Sequence, residues 1–132
     1  MKSSYIGRFA PSPNGLLHDG SIATAVASFL QARQKKGQWL LRIDDIDNTR
    51  SVKKYADEII SSLWSLGFRW DGPVIWQSKR TCLYERALKK LYTKNMVYSC
   101  YCSRREVSSQ GLVGLDGQVY PGTCRDNDNN TN

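Results

Sequence analysis

The chain has no long apolar run, only one histidine and fewer acidic than basic residues. None of its 132 residues lies in a stretch approaching the ~18–20 consecutive apolar positions of a membrane-spanning helix, so no membrane partner is expected. The opening MKSSYIGRFA lacks the apolar core of a secretion signal, and the expected localisation is cytoplasmic. No segment matches the GxxxxGK[ST] phosphate loop, and the single histidine, His18, has no obvious partners for a catalytic triad. Self-similarity at periods of roughly 20–50 residues is absent, which sets aside solenoids and propellers. Cysteine is limited to four residues. In a reducing compartment clustered thiols are more often a metal site, or simply free, than disulfides.

What is present suffices for one modest domain with its own core. Nineteen basic residues against twelve acidic ones give a net charge of +7, and mean hydropathy is −0.52. The excess is concentrated in residues 51–100, with nine basic residues against four acidic. This suits a polyanionic partner, or merely a solvated helix face.

Periodicity divides the chain into strand, helix and strand. Tyr5–Ala10 reads as a strand running into a loop stiffened by Pro11 and Pro13. From Ser21 a helix carries Ile22, Ala25, Val26, Phe29 and Leu30 inward and ends at a C-cap Gly37. Trp39–Ile43 suits a strand buried on both faces. A second helix, about Ser51 to Leu66, is stopped by Gly67, and Trp70-Asp-Gly-Pro73 is turn chemistry. Ser78 is expected to cap a third helix, about Lys79 to Lys94. Its Leu83, Ala87, Leu88 and Leu91 would face inward, with Cys82 a core thiol and Arg86, Lys89, Lys90 and Lys94 left for solvent or phosphate. Val97–Ser99 reads as a short strand, and residues 126–132 as a disordered polar tail. The alternation predicts an α/β fold with a parallel sheet.

Three constellations carry possible chemistry. The first is the strand-to-helix loop from Arg8 to Ser21, RFAPSPNGLLHDGS, where Gly15 and Gly20 open the backbone and a helix N-terminus can face a phosphate. His18 there is either a capping or surface residue or a ligand contact. The second is Arg42-Ile-Asp-Asp-Ile-Asp47 at the carboxyl end of the second strand, where carboxylates can bind an ammonium or ribose group, or simply pair with Arg42 or Arg50. The third is Cys100-x-Cys102 with Cys124 beyond it, a zinc-like spacing for which free thiols or a Cys100–Cys124 disulfide are the alternatives.

PSPNGLLHDG, Pro11 to Gly20, matches every fixed position of PSPxGxLHxG. On these residues the chain resembles the class I glutamyl-tRNA synthetase family, whose HIGH-like motif this is, over nearly all of residues 5–125. The resemblance implies an incomplete Rossmann-like nucleotide-binding fold in residues 1–99, with a zinc-binding insertion in residues 100–125. It implies that ATP, a substrate accompanied by Mg²⁺, meets Pro11, Ser12, Pro13, Gly15, His18, Gly20 and Ser21, with His18 and Gly20 the catalytic pair. L-glutamate would be held by Arg8, Phe9, Ala10, Pro11, Ser12 and Asp44. Asp44 stands where the family's RxEDxD pattern has a glutamate, one methylene longer. Tyr120-Pro-Gly-Thr-Cys124, following Cys100-x-Cys102, resembles the branch that binds Zn²⁺ through three cysteines and a tyrosine, and HDGS and SFLQAR resemble it as well. That branch activates glutamate with ATP and transfers it to queuosine in the anticodon of tRNA(Asp). A monomer is expected. The family's second half, with its KMSKS-like lysine loop, has no counterpart after Cys124. The expectations are therefore an enzyme fragment, a non-catalytic zinc- and tRNA- or nucleotide-binding remnant, or a fragment of an ordinary glutamyl-tRNA synthetase.

Overall fold

The computed structural model describes residues 5–110, 113–114 and 117–125. It divides into two compact units, Met1–Thr81 and Cys82–Asn132. The first is a three-stranded parallel sheet in the order β1-β2-β3 with helices packed against it: β1 (Ile6–Phe9), α1 (Asp19–Gln34), β2 (Gln38–Ile43), α2 (Lys53–Ser65) and β3 (Ile75–Trp76). A 3₁₀ turn, Gln77–Arg80, follows β3.

β2 is the middle strand. It pairs with β1 from Ile6↔Gln38 to Phe9↔Leu41, and with β3 at Arg42↔Ile75 and Ile43↔Trp76. Its Trp39, Leu41 and Ile43 are fully buried while Leu40 and Arg42 are half-buried, so burial alternates with the pleat instead of covering both faces. Helices α1 and α2 enter the same core through Ala25 and Ala32, and through Ala56, Ile59 and Leu63. α1 meets β1 through small residues because Gly7 lets it. A Cβ at Gly7 would lie 3.0 Å from the Trp39 ring and 3.1 Å from both Ala32 Cβ and the Ser28 carbonyl. This rotates the helix from the expected stripe, and Val26 and Leu30 are exposed.

Trp39 organises this core. Phe9 and Phe68 stack on it at 6.2 and 5.5 Å, Phe29 meets it edge-on at 5.2 Å, and its indole N–H donates to Ser28 Oγ at 2.9 Å. The Trp70–Pro73 turn is locked to the same strand. Asp71 N–H donates to the Trp39 carbonyl, while the Asp71 carboxylate accepts from Trp39 N–H at 2.8 Å and from Arg33 Nη1 at 2.7 Å.

Several boundaries differ from the sequence reading. α1 starts at Asp19, because His18 and not a later residue is its N-cap. At its other end the left-handed residue is Lys36, at φ +50°, whereas Gly37 is required by a close approach to the Tyr5 carbonyl. Gly67 does end α2, at φ +90°, with Phe68 N–H returning to the Leu63 carbonyl. Ser78 lies inside the 3₁₀ turn and caps nothing, since its N–H and hydroxyl are committed to Asp45.

The second unit contains most of α3 (Thr81–Tyr92), then α4 (Arg104–Ser109) and two short antiparallel strands, β4 (Val113–Gly114) paired with β5 (Gly117–Gln118). A reciprocal capping box between Ser103 and Glu106 starts α4. On α3, Leu83, Leu88 and Leu91 are exposed rather than inward, and Cys82 is an exposed thiol rather than a core one. Val97–Ser99 is irregular, because no neighbouring strand pairs with it among the described residues. The expected tail, 126–132, lies outside the described residues.

The Trp39 N–H, with Arg33 beside it, holds the Asp71 carboxyl below its ordinary value of 3.8. A depressed carboxyl contributes stability that is present above the unfolded value and is lost as pH falls through the folded one. Asp71→Asn is therefore expected to lower the urea midpoint at neutral pH and to flatten its fall on acidification below about pH 4, measured by fluorescence against the parent chain.

Candidate functional site

The loop leaving β1 is fastened by backbone hydrogen bonds. The Pro11 carbonyl accepts Asp44 N–H at 3.0 Å and the Pro13 carbonyl accepts Val52 N–H at 2.9 Å. The first bond extends the β1–β2 pairing past the strand ends, and the second fastens the loop to the start of α2. Pro13, having no N–H to satisfy, is fully buried at that junction. The two loop constellations thus meet at the carboxyl ends of adjacent parallel strands, where open α/β sheets bind ligands.

A cavity of about 290 Å³ lies along this loop. Phe9, Ala10, Pro11, Ser12, Gly15, His18 and Ser21 line it, joined by Ile59 from α2. Arg8, Pro13, Gly20 and Asp44 do not line it. Phe9 belongs mainly to the core, at 7% exposure, and presents only part of its surface there.

His18 combines a structural and a chemical position. As N-cap of α1 its Nδ1 accepts Ser21 N–H at 3.3 Å, and its Nε2 lies 3.1 Å from Ser21 Oγ. With Nδ1 accepting, Nε2 is the ring nitrogen that can donate to the Ser21 hydroxyl. Gly20 packs beneath this ring: a Cβ there would be 3.1 Å from Cε1 and 3.2 Å from Nδ1 of His18. The glycine therefore lets the imidazole close over the helix start.

The acidic cluster is differentiated by its partners. Asp44 is engaged by Arg42 in a two-pronged pair, Nε at 2.5 Å and Nη2 at 3.0 Å. Asp47 accepts from the Thr49 hydroxyl and from Arg50, which bring its carboxyl down to about 2. Desolvation pushes the Asp45 carboxyl up, yet bonds from Ser78 Oγ and N–H, at 2.7 and 2.8 Å, outweigh it and leave the group below its ordinary value. Arg8 extends on the exposed side of β1 and donates to the Ile6 carbonyl at 3.1 Å. A second cavity, about 380 Å³, lies between Asp45, the start of α2 and residues 76–79. The sequence reading missed it, and the QSKR segment after a two-residue strand was its only signal.

In the second unit the Sγ atoms of Cys100, Cys102 and Cys124 lie within 4.8 Å of one another. All are free thiols, and Cys102 and Cys124 approach to 3.5 Å, against about 2.05 Å for a disulfide. The Tyr120 hydroxyl completes the group, 3.3 Å from Cys100 Sγ and 3.8 Å from Cys102 Sγ, and accepts Cys124 N–H at 2.8 Å. Ligands around a tetrahedral ion with bonds of about 2.3 Å stand about 3.8 Å apart, so these four donors fit one metal ion. Hydrogen bonding with the Tyr120 phenol, aided by the Tyr101 backbone, pulls the Cys124 thiol down to about 7. Conversely, bonds to Cys100 and Cys124 push the Tyr120 hydroxyl up, and Cys124 pushes the Cys102 thiol up.

Removing the His18 cap is expected to cost roughly 0.5–1 kcal/mol of stability in His18→Ala, whereas His18→Asn, a good cap, recovers most of it. Paired urea titrations check this.

Comparison with known proteins identifies the family. Residues 6–111 match the family model for tRNA synthetases class I (E and Q), catalytic domain. The chain is 52% identical over 121 residues to a Glutamyl-Q tRNA(Asp) synthetase of Chromobacterium violaceum, covering 92% of this chain and 41% of the relative. It is 49% identical over 127 residues to the protein of that name from Dechloromonas aromatica, covering 95% and 42%. Thus the chain spans about two-fifths of the length of these curated relatives. Among solved structures, a glutamate tRNA ligase from Elizabethkingia meningosepticum in complex with its amino acid superposes with a TM-score of 0.68 at 31% identity, covering 80% of this chain and 22% of that one. The parallel sheet with its flanking helices is a class I synthetase-like Rossmann fold, and the chain belongs to the class I tRNA synthetases for glutamate and glutamine, within their catalytic domain.

Proposed function

We propose that this chain forms the first part of an enzyme that activates glutamate with ATP and transfers it to queuosine in the anticodon of tRNA(Asp). The observation that carries the reading is the 52% identity to a Glutamyl-Q tRNA(Asp) synthetase across 92% of the chain. The structure supports it by backbone bonds that join the Pro11–His18 loop to Asp44. In activation, a carboxylate oxygen of glutamate attacks the α-phosphorus of ATP. The bond between the α- and β-phosphates breaks, pyrophosphate leaves, and AMP leaves when the glutamyl group is transferred.

Within this reading the residues divide the work. The loop from Pro11 to Gly15 with the start of α1 cradles ATP, and the His18 Nε2–H can turn from Ser21 Oγ toward a phosphate oxygen. Gly20 and Ser21 keep that ring in place. Arg8, by charge, meets a substrate carboxylate, and Asp44 meets the amino group once its pairing with Arg42 is shared with the ligand. Cys100, Cys102, Tyr120 and Cys124 would hold Zn²⁺, which when bound would supply a cross-link within the second unit. The Cys124 N–H, bound to the Tyr120 oxygen, fixes the phenol beside the three thiols, where it would serve as the fourth ligand.

A second reading, a non-catalytic binding module, is favoured by one observation: the Asp44 carboxylate, a methylene shorter than the family's residue, is already occupied by Arg42. Glutamate-dependent exchange of pyrophosphate into ATP separates the two. The test protein is this chain completed with the remaining part of the Chromobacterium violaceum relative. Exchange is expected to need glutamate and to fall by orders of magnitude in His18→Asn, a variant that keeps the cap. Exchange that survives His18→Asn, or glutamate found on the tRNA 3′ end instead of the anticodon, contradicts the reading.

For the metal, about one Zn²⁺ per chain is expected by elemental analysis. Chelation should lower the melting temperature, and Tyr120→Phe should weaken binding without abolishing it. A chain free of zinc with a chelator-independent melt contradicts the assignment.

A further inference from the structure

The 380 Å³ cavity beside Asp45 is separate from the loop cavity and has no role in the activation just described. Its volume falls in the range of about 300–1,000 Å³ typical of small-molecule sites. Its lining mixes apolar surface from Pro13, Val52, Ala56 and Trp76 with polar groups, chiefly Ser51, Lys79 and Asp45.

The polar part of the lining has donors to spare. Lys79 has no acidic partner among the described residues, while Lys53 shares its charge with Asp57 on the exposed side of α2. The one carboxylate of the lining, Asp45, keeps its negative charge but is turned to Ser78, one oxygen on Ser78 N–H and the other on Ser78 Oγ, and makes no ion pair with Lys79, so Lys53 and Lys79 leave the lining with one net positive charge. The backbone adds to this excess, because Val52 offers α2 no side-chain cap and no acidic residue lies in the first turn. Lysine charge with hydroxyl and amide donors, in one cavity with an indole and aliphatic side chains, suits a phosphate carrying a planar ring.

We propose that this cavity binds one nucleotide unit, its phosphate at Lys79 and Ser51 and its base along Trp76 and Val52. The inference rests on the proposed function, since the same chemistry is offered by a nucleotide of the tRNA and by a free mononucleotide. The fold places the cavity beyond the ends of β2 and β3, next to the strand ends that carry the loop site.

The test is a titration of the ¹⁵N-labelled full chain with AMP in one arm and with an anticodon stem-loop RNA of tRNA(Asp) in another. The amides of Ser51, Lys53 and Ser78 and the Trp76 indole report this cavity. A third arm, ATP with glutamate, is read at Ser12 and Ser21 and reports the loop site separately. The expected result is saturable shifts at Trp76 and Ser78, weakened about tenfold or more in Lys79→Glu, a loss of about 1.4 kcal/mol of binding. Lys79 is exposed, and superposable spectra of the free proteins check that the variant is folded. Shifts with RNA alone assign the cavity to the tRNA, and shifts with AMP as well assign it to a free nucleotide; both support the proposal. Silence at Trp76 and Ser78 in both arms, or shifts indifferent to Lys79→Glu, overturns it, whether or not Ser12 and Ser21 respond to ATP.

Discussion

The hydrogen bond from Asp44 N–H to the Pro11 carbonyl fixes the relation between the two polar loops of this molecule. It forms because β1 and β2 are adjacent and parallel, so their chains leave the sheet at the same edge. Pro11 has no N–H to offer in return, and its carbonyl is aligned by a loop whose neighbouring Pro13 is buried and bonded to the start of α2. Each such bond contributes only about 0.5–1.5 kcal/mol net. Their effect is positional: the loop cavity and the acidic cluster stay together whatever their side chains do.

That edge depends on the core below it. Trp39 fills the space between β1, α1 and the chain after α2, and Gly7 allows α1 to come close enough to close it. Asp71 then ties the β2 backbone to Arg33 of α1. β2 is thereby held on both sides and along its backbone, which is why carboxylates at its end have defined partners and not a common solvated environment. Asp44, Asp45 and Asp47 are close in sequence, yet Arg42, Ser78, and Thr49 with Arg50 separate them electrostatically.

The strand-to-helix loop was the most legible part of the sequence, because its backbone signals are local. PSPNGLLHDG is contiguous, and its prolines and glycines state their backbone roles directly. The order of strand, helix and strand was also readable from periodicity. β3 was not, since two residues carry no period, and with it went the Asp45–Ser78 link and the second cavity. The apolar stripe of α3 predicted an inward face that the described structure leaves exposed, because amphipathicity specifies a face but not the surface that covers it. The capping role of His18 was one of two readings its position allowed. The structure adds that Ser21 engages both ring nitrogens, a contact no pattern of residue types encodes. At the cysteines, spacing indicated ligand chemistry, and only the fold could bring Tyr120 within 3.3 Å of Cys100 across the intervening chain.

The central claim is that the Pro11–Ser21 loop and Asp44 form one ligand site. A crystal structure of the chain soaked with glutamate and a non-hydrolysable ATP analogue tests it most directly. The account predicts nucleotide phosphates against His18 and the start of α1, with the glutamate amino group on Asp44 and Arg42 displaced to share that carboxylate. Nucleotide bound away from the loop, or glutamate bound with the Arg42–Asp44 pair untouched, would contradict it.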